Sequence, residues 1–187
     1  IHESELPIAL RIIENQEIFN GCKSTCDANQ PIILVPVDFS DYSERACNMA
    51  FRLAAIHNAS IVLLYSYVDP VYSNRVQLSD MLTFDSKNSD SDERAFVEEE
   101  AQRQMKNFTD RILDRIKAGS IPAVKFSTEI IEGIPEESIV QYAKEHLPIL
   151  IVMGTRGAGT KERELVGSVT AEVLDTCRFP VFTVPDT

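Results

Sequence analysis

The sequence predicts an α/β domain, a parallel sheet with helices packed on both faces. Three observations carry this reading. Short, nearly continuous apolar runs alternate with segments of helical periodicity from residue 31 onward. The runs "PIILVPVD", "SIVLLYSY" and "PILIVMG" lack in/out alternation, as strands buried on both faces do. Four of the seven glycines fall between residues 153 and 170, directly after one such run. In open parallel sheets, ligands bind at the carboxyl ends of strands, where the strand order reverses.

The elements follow in order. Residues 7–20, "PIALRIIENQEIFN", read as a helix: Pro7 suits a first helical position, and Ala9, Leu10, Ile13 and Glu17 lie along one side. Gly21 would stop it. A single helix cannot bury its own apolar stripe, so residues 1–20 are expected to be the tail of a preceding domain or a docking helix. The polar stretch 22–30 is expected to be a linker. A domain over 31–187 begins with a strand at 31–38. A helix at about 42–58 follows, with Ala46, Met49, Ala50, Leu53 and Ala54 at helical spacing. Ser40 or Asp41 can cap it, and Glu44 completes a capping box if Asp41 is the cap.

The second strand is 60–67. Residues 69–94, rich in Asp, Ser and Asn, are expected to be a loop. A long helix over roughly 93–118 carries Val97, Ala101, Met105, Phe108, Ile112 and Ile116 in steps of three and four. Its "VEEEA" segment is expected to be solvated. Strand three, 123–131, alternates more than the others, as an edge strand does. Gly133 and Pro135 lead into a helix at about 135–146, with Glu136 and Glu137 suited to its dipole. Strand four is 148–154. A helix runs from near Ser168 to about Cys177, and 180–185 is the last strand.

Composition narrows the function. The 187 residues are 44% hydrophobic and 25% charged, as in a globular domain, and no apolar run reaches the roughly 20 residues that span a bilayer. A net charge of −11 argues against nucleic acid and anionic membranes as partners. It leaves small anions open, because backbone amides bind phosphate without a basic surface. Cys22 and Cys26 form a C-x3-C pair with no second pair, so no metal site is expected, while Cys47 and Cys177 read as core thiols. A reducing, cytoplasmic setting fits these cysteines. His2, His57 and His146 have no nucleophile–base pattern around them and read as surface residues.

The glycine segment, "MGTRGAGTKERELVGSVT", fails two phosphate motifs. A dinucleotide fingerprint breaks at Glu162, and a P-loop breaks at Thr160, where lysine is required. What remains is G-x2-G-x9-G-S: Gly154, Gly157, then Gly167 and Ser168. Gly167 lets an anion approach, the amides of Ser168, Val169 and Thr170 are free donors of a helix start, and Gly157 and Gly159 add turn amides. Ser168 is expected to be the N-cap. The grouping favours a polyphosphate.

From about 31 to 186 the chain resembles the universal stress protein (UspA) family. The resemblance rests on "ILVPVDFSDYSERA", on "IVMGTRGAG…LVGSVTAEVL" with its G-2x-G-9x-G-[ST] nucleotide motif, and on "CRFPVFTVP". It implies a five-stranded parallel sheet of order 3-2-1-4-5, Rossmann-like and similar to the adenine nucleotide alpha hydrolases. It also implies ATP, ADP or AMP bound across the ends of strands one and four, with Mg²⁺ arriving on the nucleotide. Carried over by position, Pro36, Val37 and Asp38 line the adenine side and Ser66 meets the base. Met153 and Gly154 lie near base and ribose, and Gly157, Gly159, Gly167, Ser168, Val169 and Thr170 hold phosphates. Asp38 can instead cap the next helix; the ligand role is adopted. Ser66 stands where the family usually has an apolar residue. Arg156 can contact a phosphate or point to solvent. The resemblance further implies a homodimer through the last strand, Pro180 to Pro185. No machinery for rapid hydrolysis is visible, so at most slow ATPase activity is expected. A scaffold that pairs with proteins and binds no nucleotide is the alternative, and the glycine motif speaks against it. An adenylate-forming enzyme would want a glycine after strand one, which "PVDFSDYS" lacks.

Overall fold

The apolar runs become the strands of one parallel sheet in the computed structural model, which describes residues 30–68, 90–159 and 165–185. Along the chain come β1 (Ile32–Pro36), α1 (Asp41–His57), β2 (Ser60–Tyr67), α2 (Asp90–Lys117), β3 (Phe126–Glu132), α3 (Pro135–His146), β4 (Leu150–Gly154), α4 (Ser168–Thr176) and β5 (Val181–Val184). The strands lie in the order β3-β2-β1-β4-β5, each parallel to its neighbour. β3 is an edge, as its alternation predicts.

Successive residues of a buried strand point to opposite faces, so each central strand serves two cores. Ile33, Val35, Ile61, Leu63 and Val152 face α1 and α2, meeting Phe51, Met105, Phe108 and Ile112. Leu34, Val62, Leu64, Ile151 and Met153 face α3 and α4, meeting Ile139, Tyr142 and Val173. This is why the strands read as unbroken apolar runs. It also places helices on both faces, as expected.

Local chemistry sets the helix ends. Ser40, not Asp41, caps α1, its Oγ accepting from the Ser43 amide at 3.3 Å. The capping box therefore does not form. Glu44 instead takes a hydrogen-bonded ion pair from Arg115 Nη1 at 2.5 Å, clipping the start of α1 to the end of α2. Residues 90–94, expected in a loop, belong to α2. Strand three begins at Phe126, later than the predicted 123: Gly119 and Ser120 close α2 through their amides to Ile116 O and Arg115 O, and bonding to β2 starts only where the Ile61 amide donates to Lys125 O. Cys47 is buried as expected; Cys177 lies just past α4, partly exposed. Burial pushes the Cys47 thiol far above its ordinary value. The helix expected at 7–20, Cys22 and Cys26, and residues 69–89 of the expected loop lie outside the described residues. No described helix is long and apolar enough to cross a membrane.

Candidate functional site

β1 and β4 are neighbours, yet the chain leaves β1 for α1 on one face and β4 for α4 on the other. A crevice opens between the two departures. Its first wall is the end of β1. The Val37 amide donates to the Leu64 carbonyl at 2.9 Å, prolonging the pairing with β2 by one residue. The backbone then turns sharply at Phe39, which adopts φ 63° in the left-handed region. A phenylalanine there is strained by roughly 1–3 kcal/mol, so packing must hold it. Its ring sits 4.5 Å from that of Tyr65 and 5.6 Å from that of Phe108.

That turn aims Asp38. Its Oδ1 accepts from the Ser40 amide at 3.1 Å and the Ser40 hydroxyl at 2.5 Å. Its Oδ2 reaches across the crevice and accepts from the Ala158 amide at 2.6 Å. The carboxylate thus caps its own turn and pins the glycine segment. A carboxylate oxygen has room for two donors, so Oδ2 keeps capacity for one more. Tyr65 stands beside this group; partial burial first, then the charges of Asp38 and Glu100, raise its phenol above its ordinary value.

The second wall is the glycine segment, and two of its glycines have steric reasons. A Cβ on Gly154 would come within 2.9 Å of the Arg156 carbonyl oxygen and of Tyr42 Cβ. A Cβ on Gly157 would run into the Asp38 carboxylate. Gly159, by contrast, has open space where a Cβ would go. The segment closes on itself: the Thr155 amide donates to Val184 O at 3.0 Å, and the Gly167 amide donates to Thr155 O at 2.8 Å.

The third wall is the start of α4. Gly167, not Ser168, is the N-cap, and it makes no side-chain cap bond. Ser168 is the first helical residue, because Gly167 already has the extended backbone of a cap (φ −71°, ψ 157°). The Thr170 hydroxyl donates to the Gly154 carbonyl at 2.9 Å, so it ties α4 to β4 and is not presented to a ligand. The amides of Ser168, Val169 and Thr170 have no hydrogen-bond partner among the described residues. They are the donors that a helix start leaves over, backed by the positive end of its dipole.

These walls enclose a cavity of about 250 Å³. Pro36, Val37, Asp38, Ser66, Met153, Gly154, Arg156, Gly157, Gly159, Gly167, Ser168, Val169 and Thr170 all line it. Six further lining residues escaped the sequence reading: Ser43, Leu64, Tyr65, Pro135, Ile139 and Ala158. Leu64 was within reach, since it shares a face of β2 with Ser66 two residues on. Pro135 and Ile139 carry no local signal; they arrive because α3 packs beside Leu64 and Met153. The cavity is therefore apolar on the β2–α3 side and lined with amides on the α4 side. Among the described residues that line it, Asp38 is the sole carboxylate.

Comparison with known proteins agrees with this architecture. The profile described as "Universal stress protein family" matches residues 31–185. Universal stress protein MJ0531 of Methanocaldococcus jannaschii is 30% identical over 152 residues, covering 81% of this chain and 80% of that protein. The structure of universal stress protein UspA from Lactobacillus plantarum superposes with a TM-score of 0.63 at 28% identity, covering 84% of this chain and 99% of that one. A universal stress protein described as in complex with cAMP superposes with a TM-score of 0.51 at 24% identity, covering 83% of this chain and 97% of that one.

Proposed function

The chain belongs to the universal stress protein family, and from that premise we propose that it is a regulatory module that binds an adenine nucleotide, ATP or its di- and monophosphate, between β1 and β4. One observation carries the reading. Three consecutive amides, of Ser168, Val169 and Thr170, open into a cavity whose far side is apolar. A polyphosphate satisfies the first feature and a purine the second. In this reading Val37, Leu64, Ile139 and Met153 hold the base. The spare capacity of Asp38 Oδ2 takes a ribose hydroxyl, and the Gly167–Thr170 turn takes the phosphates. A cAMP complex of another protein of this fold supports the choice of adenine nucleotide.

The nucleotide is bound and not rapidly consumed. Phosphoryl transfer needs a cation on the transferring group and a residue that positions the attacking water. The lining carboxylate, Asp38, is already engaged by Ser40 and Ala158. Among the described lining residues a Mg²⁺ arriving on the nucleotide would meet Asp38 as the one carboxylate, with phosphate and water completing its shell. Calorimetric titration of ATP and AMP into wild type and Gly167→Val tests the reading. Binding to wild type and loss in the variant is expected; equal binding by both would remove the phosphate-loop role.

A second, compatible reading is a homodimer formed through Pro180 to Pro185. β5 is an edge strand, and its Phe182 is 41% exposed. An apolar open edge invites a second copy. Phe182→Lys should then yield a monomer by light scattering.

A further inference from the structure

We propose that the groove between β3 and α3 docks a basic segment of a partner protein, an extended stretch carrying two or more arginines or lysines. Pro135 and Ile139 of α3 face the cavity between β1 and β4, whereas Glu137, Gln141 and Glu145 line this second hollow of about 760 Å³. Its floor is apolar, formed by Ile131, Ile134 and the buried Tyr142. β3 is an edge strand, so one side of the groove opens past the sheet.

Charge complementarity names the occupant. Among the described residues that line the groove, five are carboxylates, Glu132, Glu136, Glu137, Glu145 and Glu172, against one lysine, Lys144. None of the five has an ion-pair partner among the described residues. Glu145 accepts from the neutral amide of Gln141 at 2.5 Å. An acidic face that simply meets water is usually laced with local pairs. α2 is such a face: Glu100 pairs with Arg103, Asp110 with Lys106 and Asp114 with Lys117.

A second observation points to a ligand. Ser138 is 8% exposed, yet its hydroxyl has no hydrogen-bond partner among the described residues. Its oxygen faces Gly133, where a Cβ would come within 2.8 Å of it. The absent side chain leaves the hydroxyl open to the groove. A buried hydroxyl left unpaired is costly, and an ammonium or guanidinium supplies the donor it lacks.

The spacing favours an extended chain over a compact cation. α3 runs back along β3: Ser138 meets Gly133 at one end, and the charge of His146 reaches Glu129 at the other. Glu137 and Glu145 therefore stand about 12 Å apart along the groove. Among the described residues no three acidic, histidine or cysteine side chains are grouped to hold a metal ion. An extended peptide sets every second side chain on one face, about 7 Å apart. Each arginine stem can cover the apolar floor while its guanidinium reaches a carboxylate.

Fluorescence anisotropy on the full chain tests this, with a labelled octapeptide carrying arginine at alternate positions. Saturable binding is expected at about 0.1 M salt, and none of a peptide with glutamate in place of arginine. Glu132→Gln combined with Glu137→Gln should weaken binding at least tenfold. Glu98→Gln combined with Glu99→Gln, on α2, changes the net charge equally and should leave affinity within about twofold. Ser138→Ala should weaken binding about threefold or more without lowering the melting temperature, because its hydroxyl bonds nothing within the fold. The proposal fails if wild type does not bind the arginine peptide, or if Ser138→Ala binds as wild type does. It fails equally if the α2 variant loses as much affinity as the groove variant, which would make net charge the cause.

Discussion

The Asp38 carboxylate and the Ala158 amide meet at 2.6 Å across the point where the strand order reverses, joining the end of β1 to the segment after β4. Gly157 permits that contact, because any side chain there would occupy the carboxylate's place. The shape of the cavity thus depends on one charge-assisted hydrogen bond between segments 120 residues apart.

Asp38→Asn should weaken ATP binding about tenfold. It loses a hydrogen bond to a charged group, worth roughly 1.5–3 kcal/mol. It also relieves repulsion between carboxylate and phosphates, which at roughly 8 Å in water is about 0.5 kcal/mol per phosphate charge and, after screening at physiological salt, about 0.8 kcal/mol for four charges. The lost bond wins. Calorimetry reads the difference, and tighter binding by the variant would mean that repulsion dominates.

Two glycines of one segment should behave oppositely. Gly157→Ala must displace Asp38 and should cost at least tenfold in ATP affinity, while Gly159→Ala meets open space and should bind as wild type. Each folded variant is checked by its thermal melt before titration.

The cap positions make a second contrast. Ser40→Ala removes a side-chain cap and a partner of Asp38, and should cost about 1 kcal/mol in urea unfolding. Ser168→Ala removes an exposed hydroxyl with no cap bond and should stay within about 0.5 kcal/mol of wild type. Equal losses would restore Ser168 as the cap.

Much of this was legible in the residues. Unbroken apolar runs with helical spacing between them announced β1, β2, β4 and their helices, because burial on two faces leaves no polar alternation. The glycine spacing located the cavity, because close backbone approach is a local demand. Ser168 and Gly167 both suit an N-cap by residue type, and only the extended backbone of Gly167 decides between them. Glu44 completes a capping box only if Asp41 is the cap; Ser40 takes that place, and Glu44 pairs instead with Arg115, 71 residues away. Ile139 and Pro135 were invisible because their place depends on how α3 packs, which no local pattern encodes.

A pH dependence follows from Glu129 on the β3 edge. Partial burial raises its carboxyl above the ordinary 4.5, and the charge of His146 opposes this as the smaller influence. The folded state therefore holds this proton more tightly. Its stabilising contribution is complete below pH 4.5 and is lost as pH rises through the raised folded value. Glu129→Gln should melt with wild type at pH 4 and above it at pH 7. A constant gap between the two across that range would contradict the assignment.

The most direct measurement is a calorimetric titration of purified wild-type protein with ATP, repeated on Gly157→Ala. The account predicts saturable binding at one site per chain, weakened at least tenfold by the alanine. Absence of heat at millimolar ATP, or identical affinity in the two proteins, would contradict it.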